Sequence, residues 1–257
     1  MAQPDEIIVR VEDAVAWITI NRPERLNALA RSTFARLVEV SLELDRDAAV
    51  RVVVYTGAGE RAFSAGVDLK ELDGAGRMEH PMGGPGRNLN EVLLEMSKPT
   101  IAAINGVAAG GGCELALACD IRLAADGARM GLPEARVGLG ANFGSVVLPR
   151  LVPRGAALEL LFTGELIGMD EALRLGLVNR VCAAAELAER TRALARRIAD
   201  NAPLSVQRMK AMASKSQGLP IAAGLRLSAG PNPYDSEDRR EGARAFVEKR
   251  KPVFLGR

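Results

Sequence analysis

The chain has 257 residues, 48% of them hydrophobic and only 4% aromatic, which supplies a full core for one large α/β domain. Its 34 basic and 32 acidic residues leave a net charge of +2 and are mixed along the chain, a balance that argues against a dedicated nucleic-acid binder. Cys113, Cys119 and Cys182 are odd in number and lack C-x-x-C spacing, no uncharged apolar run reaches the roughly 18 residues of a membrane span, and the start MAQPDEIIVRVED is acidic and strand-like; a cytoplasmic protein without disulfides, membrane span or secretory signal is expected.

Ile7 to Val11 and Val15 to Ile20, rich in β-branched residues around the acidic turn Glu12-Asp13, predict a hairpin ending at Asn21-Arg22-Pro23. From Phe34 the apolar residues Phe34, Leu37, Val38 and Leu42 keep helical spacing, giving an amphipathic helix to about Asp45. Val50 to Tyr55 reads as a buried strand, so hairpin, helix and strand form a ββα unit. Gly57, Gly59 and Ala62 after that strand fit G-x-G-x-x-[GA], but Phe63-Ser64-Ala65-Gly66 bends again where a dinucleotide fold needs a crossover helix, so a plain glycine turn is the better reading. Asp73 to Asn90, rich in Gly, Pro and charge, reads as a mobile loop over a ligand site or as plain surface. It holds His80, the only histidine, which leaves metal sites and Ser-His or Cys-His nucleophile systems without a packed imidazole. Catalytic apparatus in this chain must come from carboxylates and backbone amides.

The central stretch runs from Lys98 to Gly140. Thr100 to Ile104 reads as a buried strand, Asn105-Gly106 as a turn, and Gly110-Gly111-Gly112 as the opening of a helix from Cys113 to about Cys119, with Glu114 in its first turn. A helix N-terminus offers N–H groups without intrahelical partners, so negative charge is favoured beside it. Ile121 to Ala125 is a second strand, and Met130-Gly131-Leu132-Pro133 a bend before Glu134. Spacing alone leaves open whether the two carboxylates meet. The bend at Phe63 to Lys70 and the glycine bend before Glu114 each follow a strand; singly each reads as close backbone packing, but as a pair they offer two N–H groups to one oxygen, as in an oxyanion hole. The ββα pattern recurs here, favouring a repeated ββα spiral over a doubly wound sheet.

Helices are then expected from about Ser145, over Gly155 to Phe162, Met169 to Leu175 and Leu187 to Ile198, with a short strand at Leu177 to Val181. From Pro203 onward only helical signals remain: Leu204 to Met212, Ile221 to Leu227, and Ser236 to Lys249 with Ser236 as its cap. Apolar Ile221, Leu225, Leu227, Phe246 and Val247 are more than this thin region can bury by itself, which points to packing on the body or on another subunit.

Asn21-Arg22-Pro23 with Leu26-Asn27-Ala28-Leu29, then FSAGVDLKEL, KPTIAAINGVAAGGGCELALACD, GLPEARVGL and SEDRREGARAFVEKRKP, spread over nearly the whole chain, resemble the crotonase superfamily and within it enoyl-CoA hydratase. The resemblance implies an α/β fold: a crotonase-like ββα superhelix over residues 1–200 and a helical C-terminal trimerisation region over 201–257, assembled as a homotrimer or a homohexamer, a dimer of trimers. It implies an acyl-CoA thioester substrate, no metal, and no cofactor beyond the CoA that is part of the substrate. By motif position, the Val67 and Gly111 N–H groups hold the thioester oxygen, Ala65, Val67, Asp68, Leu69, Lys70 and Gly111 line the substrate, and Glu114 and Glu134 are the catalytic base and acid. Relatives that only isomerise commonly keep one glutamate, so the presence of both favours hydration. Isomerisation, acyl-CoA hydrolysis and a non-catalytic scaffold or RNA-binding role are the alternatives. One departure stands out: Ala141 and Asn142 occupy positions where the family usually has Pro and Gly. The Asn142 carboxamide, with Phe143 as an apolar wall, either adjusts acyl specificity or simply fills a left-handed turn.

Overall fold

The computed structural model describes residues 5–72 and 86–257. The hairpin forms as expected: β1 (Ile7–Glu12) pairs antiparallel with β2 (Val15–Ile20), Ile7 opposite Ile20. Helix α1 (Arg31–Arg46) begins before Phe34 and leads to β3 (Val52–Gly57), whose Val52, Val53, Val54 and Tyr55 are completely buried. Such a continuous apolar run suits a parallel strand covered on both faces. The Tyr55 hydroxyl meets Ser41 Oγ of α1 at 2.8 Å, so the one polar atom carried into this layer is paired.

After β3 the chain runs straight into a second strand, β4 (Ala62–Ser64), with no crossover helix, as the glycine-turn reading requires. A single helical turn, α2 (Leu69–Leu72), follows. Of the loop expected over Asp73–Asn90, residues 73–85, His80 included, lie outside the described residues. Its end is helical: Asn88 caps helix α3 (Leu89–Glu95), its side chain accepting the Glu91 N–H while the Glu91 carboxylate accepts the Asn88 N–H, both at 2.9 Å. Two reciprocal bonds of this kind satisfy N–H groups that a helix start otherwise leaves bare. This short helix was not foreseen from the sequence.

The next turn of the spiral is β5 (Thr100–Ile104), β6 (Val107–Ala109) and α4 (Gly111–Ala118); the helix starts two residues earlier than Cys113. Then come β7 (Ile121–Ala125), β8 (Arg129–Gly131), a 3₁₀ turn at Pro133–Val137, α5 (Asn142–Leu151) and α6 (Arg154–Thr163). The first, α5, opens at Asn142 rather than at Ser145. The chain closes through β9 (Ile167–Gly168), α7 (Met169–Arg174), β10 (Arg180–Cys182) and α8 (Leu187–Ala199). The last strand sits later than the expected Leu177–Val181. Residues 203–257 add α9 (Pro203–Lys215), α10 (Ile221–Gly224), shorter than expected, and α11 (Glu237–Glu248), N-capped by Ser236 through the Arg239 N–H.

From β3 to β8 the strands alternate between two sheets. One sheet has the order β1-β2-β3-β5-β7-β10, parallel except for β1; the other has the order β4-β6-β8-β9, with β4, β6 and β8 parallel. Over β3 to β8 each turn of the ββα superhelix therefore deposits one strand in each sheet, whereas the opening hairpin puts both of its strands in the large one. All three cysteines are free and buried in the core. No helix among the described residues is long and apolar enough to cross a membrane.

Candidate active site

Three segments with chemical content leave the small sheet at the same edge, because β4, β6 and β8 are adjacent and parallel. Ala65-Gly66-Val67 follows β4, Gly110-Gly111 follows β6, and Leu132-Pro133-Glu134 follows β8. The registers Ser64 to Ala108 and Ala109 to Gly131, with Gly110 N–H donating to the Gly131 carbonyl at 3.0 Å, hold them side by side. Ligand chemistry gathers at the carboxyl ends of parallel strands for this reason.

Gly66 has φ +88°, and a methyl group there would lie 2.7 Å from the Ala109 carbonyl oxygen and 2.9 Å from the Gly111 nitrogen. Only glycine permits this turn and this approach. Its carbonyl accepts the Leu29 N–H at 2.7 Å, and the Leu29 carbonyl accepts the Asp68 N–H at 3.1 Å, an isolated parallel bridge between Leu29 and Val67. The Val67 N–H lies outside that bridge. It points opposite to the Gly66 carbonyl because both belong to one planar trans peptide. The Gly111 N–H is the first of α4 and has no carbonyl one turn behind it. Two N–H groups without a hydrogen-bond partner among the described residues thus lie on neighbouring loops, the Val67 nitrogen 3.7 Å from where a methyl group on Gly111 would sit.

Glu114, in the first turn of α4, is largely buried, and its Oε1 accepts the Gly144 N–H at 2.8 Å. Burial pushes this carboxyl from its ordinary 4.5 up to about 7; the Gly144 N–H opposes the rise, the charge of Glu134 adds to it, and the Phe143 N–H opposes it. Both N–H groups belong to the first turn of α5, so Glu114 is fixed by a second helix N-terminus. Glu134 sits in the 3₁₀ turn with Oε1 over Gly110, so close that a methyl group on Gly110 would approach to 3.3 Å. Burial raises its pKa too, and its Oε2 is buried with no hydrogen-bond partner among the described residues. The carboxylates whose meeting spacing left open are brought together. The Cys113 thiol lies behind both, pushed up by burial and by their charges.

The segment expected to line the substrate divides. Leu69 and Lys70 are exposed and Ala65 partly so, but Asp68 is only 6% exposed and its carboxylate turns inward to Arg22 at 3.1 Å. Beyond Glu134 a cavity of about 360 Å³ is lined by Leu132, Leu139, Leu158, Leu161 and Phe162, with Ser145. Neither Asn142 nor Phe143 is among the residues lining it; Phe143 is 5% exposed in the core. Asn142 is the first helical residue of α5, with a negative φ, so the left-handed turn reading fails; the left-handed residue nearby is Gly138, at φ +72°. Its amide donates to the Gly140 carbonyl at 3.2 Å. The sequence reading missed the Gly144 and Phe143 amides and Arg22. Backbone donors leave no side-chain signature, but the Asn-Arg-Pro turn was a visible pointer to Arg22.

A family model described as enoyl-CoA hydratase/isomerase matches residues 10–257. An (E)-benzylidenesuccinyl-CoA hydratase of Thauera aromatica is 41% identical over 97% of this chain and 99% of that protein. A short-chain-enoyl-CoA hydratase of Clostridium acetobutylicum is 40% identical over 96% of each. The crystal structure of an enoyl-CoA hydratase from Bacillus anthracis superposes with a TM-score of 0.89 at 34% identity, covering 98% of this chain and 100% of that one.

Proposed function

The chain belongs to the enoyl-CoA hydratase/isomerase family, and on that premise we infer that it is an enoyl-CoA hydratase, adding water across the 2,3 double bond of an enoyl-CoA thioester. The observation that carries the reading is the pair of buried carboxyl groups beside two N–H donors at one edge of the small sheet.

When water adds at the β-carbon, the conjugated thioester becomes enolate-like and negative charge collects on its oxygen. The N–H groups of Val67 and Gly111 receive that charge, and donors already in place need no reorganisation during the reaction. Glu114 is the base: the N–H groups of α5 favour its ionised form, and with a pKa of about 7 it is available to take a proton from water near neutrality. Glu134 is the acid: burial raises its pKa and one of its oxygens is unpaired among the described residues, both of which favour the protonated form that gives a proton to the α-carbon. Hydroxide equivalent and proton add to the two carbons, and the two glutamates re-equilibrate their protons before the next turnover. The reaction so written needs no separate cofactor. The apolar cavity beyond Glu134 receives the acyl tail, and exposed Leu69 and Lys70 line the path of CoA.

The assembly is a trimer or a dimer of trimers. Ile221 (83%), Leu225 (77%), Phe246 (86%) and Val247 (79%) stand exposed on the C-terminal helices, more than a monomer leaves to water without reason. Three buried free thiols suit a reducing cytoplasm. The test of activity is the loss of enoyl-thioester absorbance on adding the protein to short and long enoyl-CoAs. Folded protein that leaves every thioester unchanged would contradict the assignment.

A further inference from the structure

Whatever holds the Gly66 carbonyl also aims the Val67 N–H, since the two groups lie on opposite edges of one planar peptide. The carbonyl is held by Leu29 in an isolated bridge, and before it the only further backbone bond between the two segments is Ala65 N–H to the Leu26 carbonyl at 3.0 Å, so beyond Val67 no ladder continues among the described residues. Arg22 spans the bridge. Its guanidinium donates through Nη1 to the Ala28 carbonyl at 2.6 Å and through Nη2 to Asp68 Oδ2 at 3.1 Å. One planar cation thereby ties the residue before Leu29 to the residue after Val67. The Arg22 and Asp68 side chains are 13% and 8% exposed, so water competes little for the pair, and Glu6 Oε1 faces Arg22 Nε at 3.2 Å. Arg22 is itself anchored. Its N–H donates to Asn27 Oδ1 at 3.0 Å, and the fully buried Asn27 donates to the Ala58 and Ala62 carbonyls at 3.0 and 2.7 Å.

We propose that Arg22 is a positioning residue for the reaction: by clamping Asp68 to the Ala28 carbonyl it fixes the direction of the Val67 N–H at the substrate's thioester oxygen. This rests on the reading of Val67 as an oxyanion donor. A guanidinium satisfies both acceptors at a fixed angle, which a lysine ammonium on a flexible stem does not. The clamp matters most when charge develops on the oxygen, so its loss falls on kcat more than on KM.

The test uses the 257-residue chain with Arg22→Lys and, as an isosteric second variant, Asp68→Asn. Steady-state kinetics are combined with the absorbance of the bound para-aminocinnamoyl thioester of CoA, whose band moves to longer wavelength when donors polarise its carbonyl. Arg22→Lys is expected to lower kcat by about tenfold or more with KM changed by less than about twofold, and to cut the red shift of the bound chromophore by about half or more. Asp68→Asn is expected to act in the same direction. The red shift is read per bound molecule, so a variant that is merely less stable keeps it. Variants with the wild-type red shift, or with raised KM and intact kcat, overturn the clamp. A wild-type protein that hydrates enoyl thioesters without any red shift overturns the oxyanion assignment and the clamp with it.

Discussion

Replacing Glu114 by Gln should make the protein more stable relative to wild type as the pH rises. In the folded state the carboxyl is buried beside Glu134 and its pKa is raised from 4.5 to about 7. Below the unfolded value the group is protonated in both states and has no effect. Between the two values the unfolded chain loses its proton while the folded one retains it, so stability falls as pH rises; above about 7 the loss is complete. Each pKa unit is worth about 1.4 kcal/mol, so the whole window amounts to about 3 kcal/mol. Gln keeps the oxygen that accepts the Gly144 N–H and carries no charge at any pH, so the variant is spared this loss. Urea unfolding of both proteins at one fixed protein concentration, from about pH 5 to about pH 9, measures the difference. The stability of Glu114→Gln minus that of wild type should increase by about 2.5 kcal/mol across the range, the remainder being already lost at about pH 5, whatever its offset at the acid end. Parallel curves would refute the argument, because they would mean that Glu114 ionises as readily in the folded protein as in the unfolded chain.

Glu114→Gln and Glu134→Gln should each lower turnover by about 100-fold or more with little change in acyl-CoA affinity; near-normal turnover in either removes it from the chemistry. The pH profile of kcat/KM should rise through about 7 as Glu114 ionises, and Glu114→Gln should lack that rising limb. Gly110→Ala forces a methyl group to 3.3 Å from Glu134 Oε1 at φ +54°, which should cost about 1–2 kcal/mol of stability in thermal unfolding and lower kcat further than that loss explains. The Asn142 amide is engaged with Gly140, so Asn142→Gly should change kcat/KM for short, long and polar acyl-CoAs by a common factor; a shift of their ratio beyond about tenfold would place that amide at the acyl group instead.

The amino-acid sequence by itself determined β1, β2, β3, β5 and β7 of the large sheet and the long helices, since each is long enough to display a period or an apolar run; three-residue β10 it placed too early. It also placed Glu114 in the first turn of a helix opened by glycines, because that signal is local. The small sheet was not legible: Ala62–Ser64, Val107–Ala109 and Arg129–Gly131 are three residues each, too short to show alternation; Phe63-Ser64 and Met130-Gly131 read as bends and Val107–Ala109 gave no signal. Yet their parallel pairing is what brings Gly66, Gly110 and Glu134 to one edge. The raised pKa values are likewise tertiary, for they follow from burial and from a second carboxylate 20 positions along the chain. So is the inward turn of Asp68, whose partner Arg22 lies 46 residues earlier. Local sequence records what a segment prefers; which segments meet is decided by strand pairing and packing over long separations, and the site is made of such meetings.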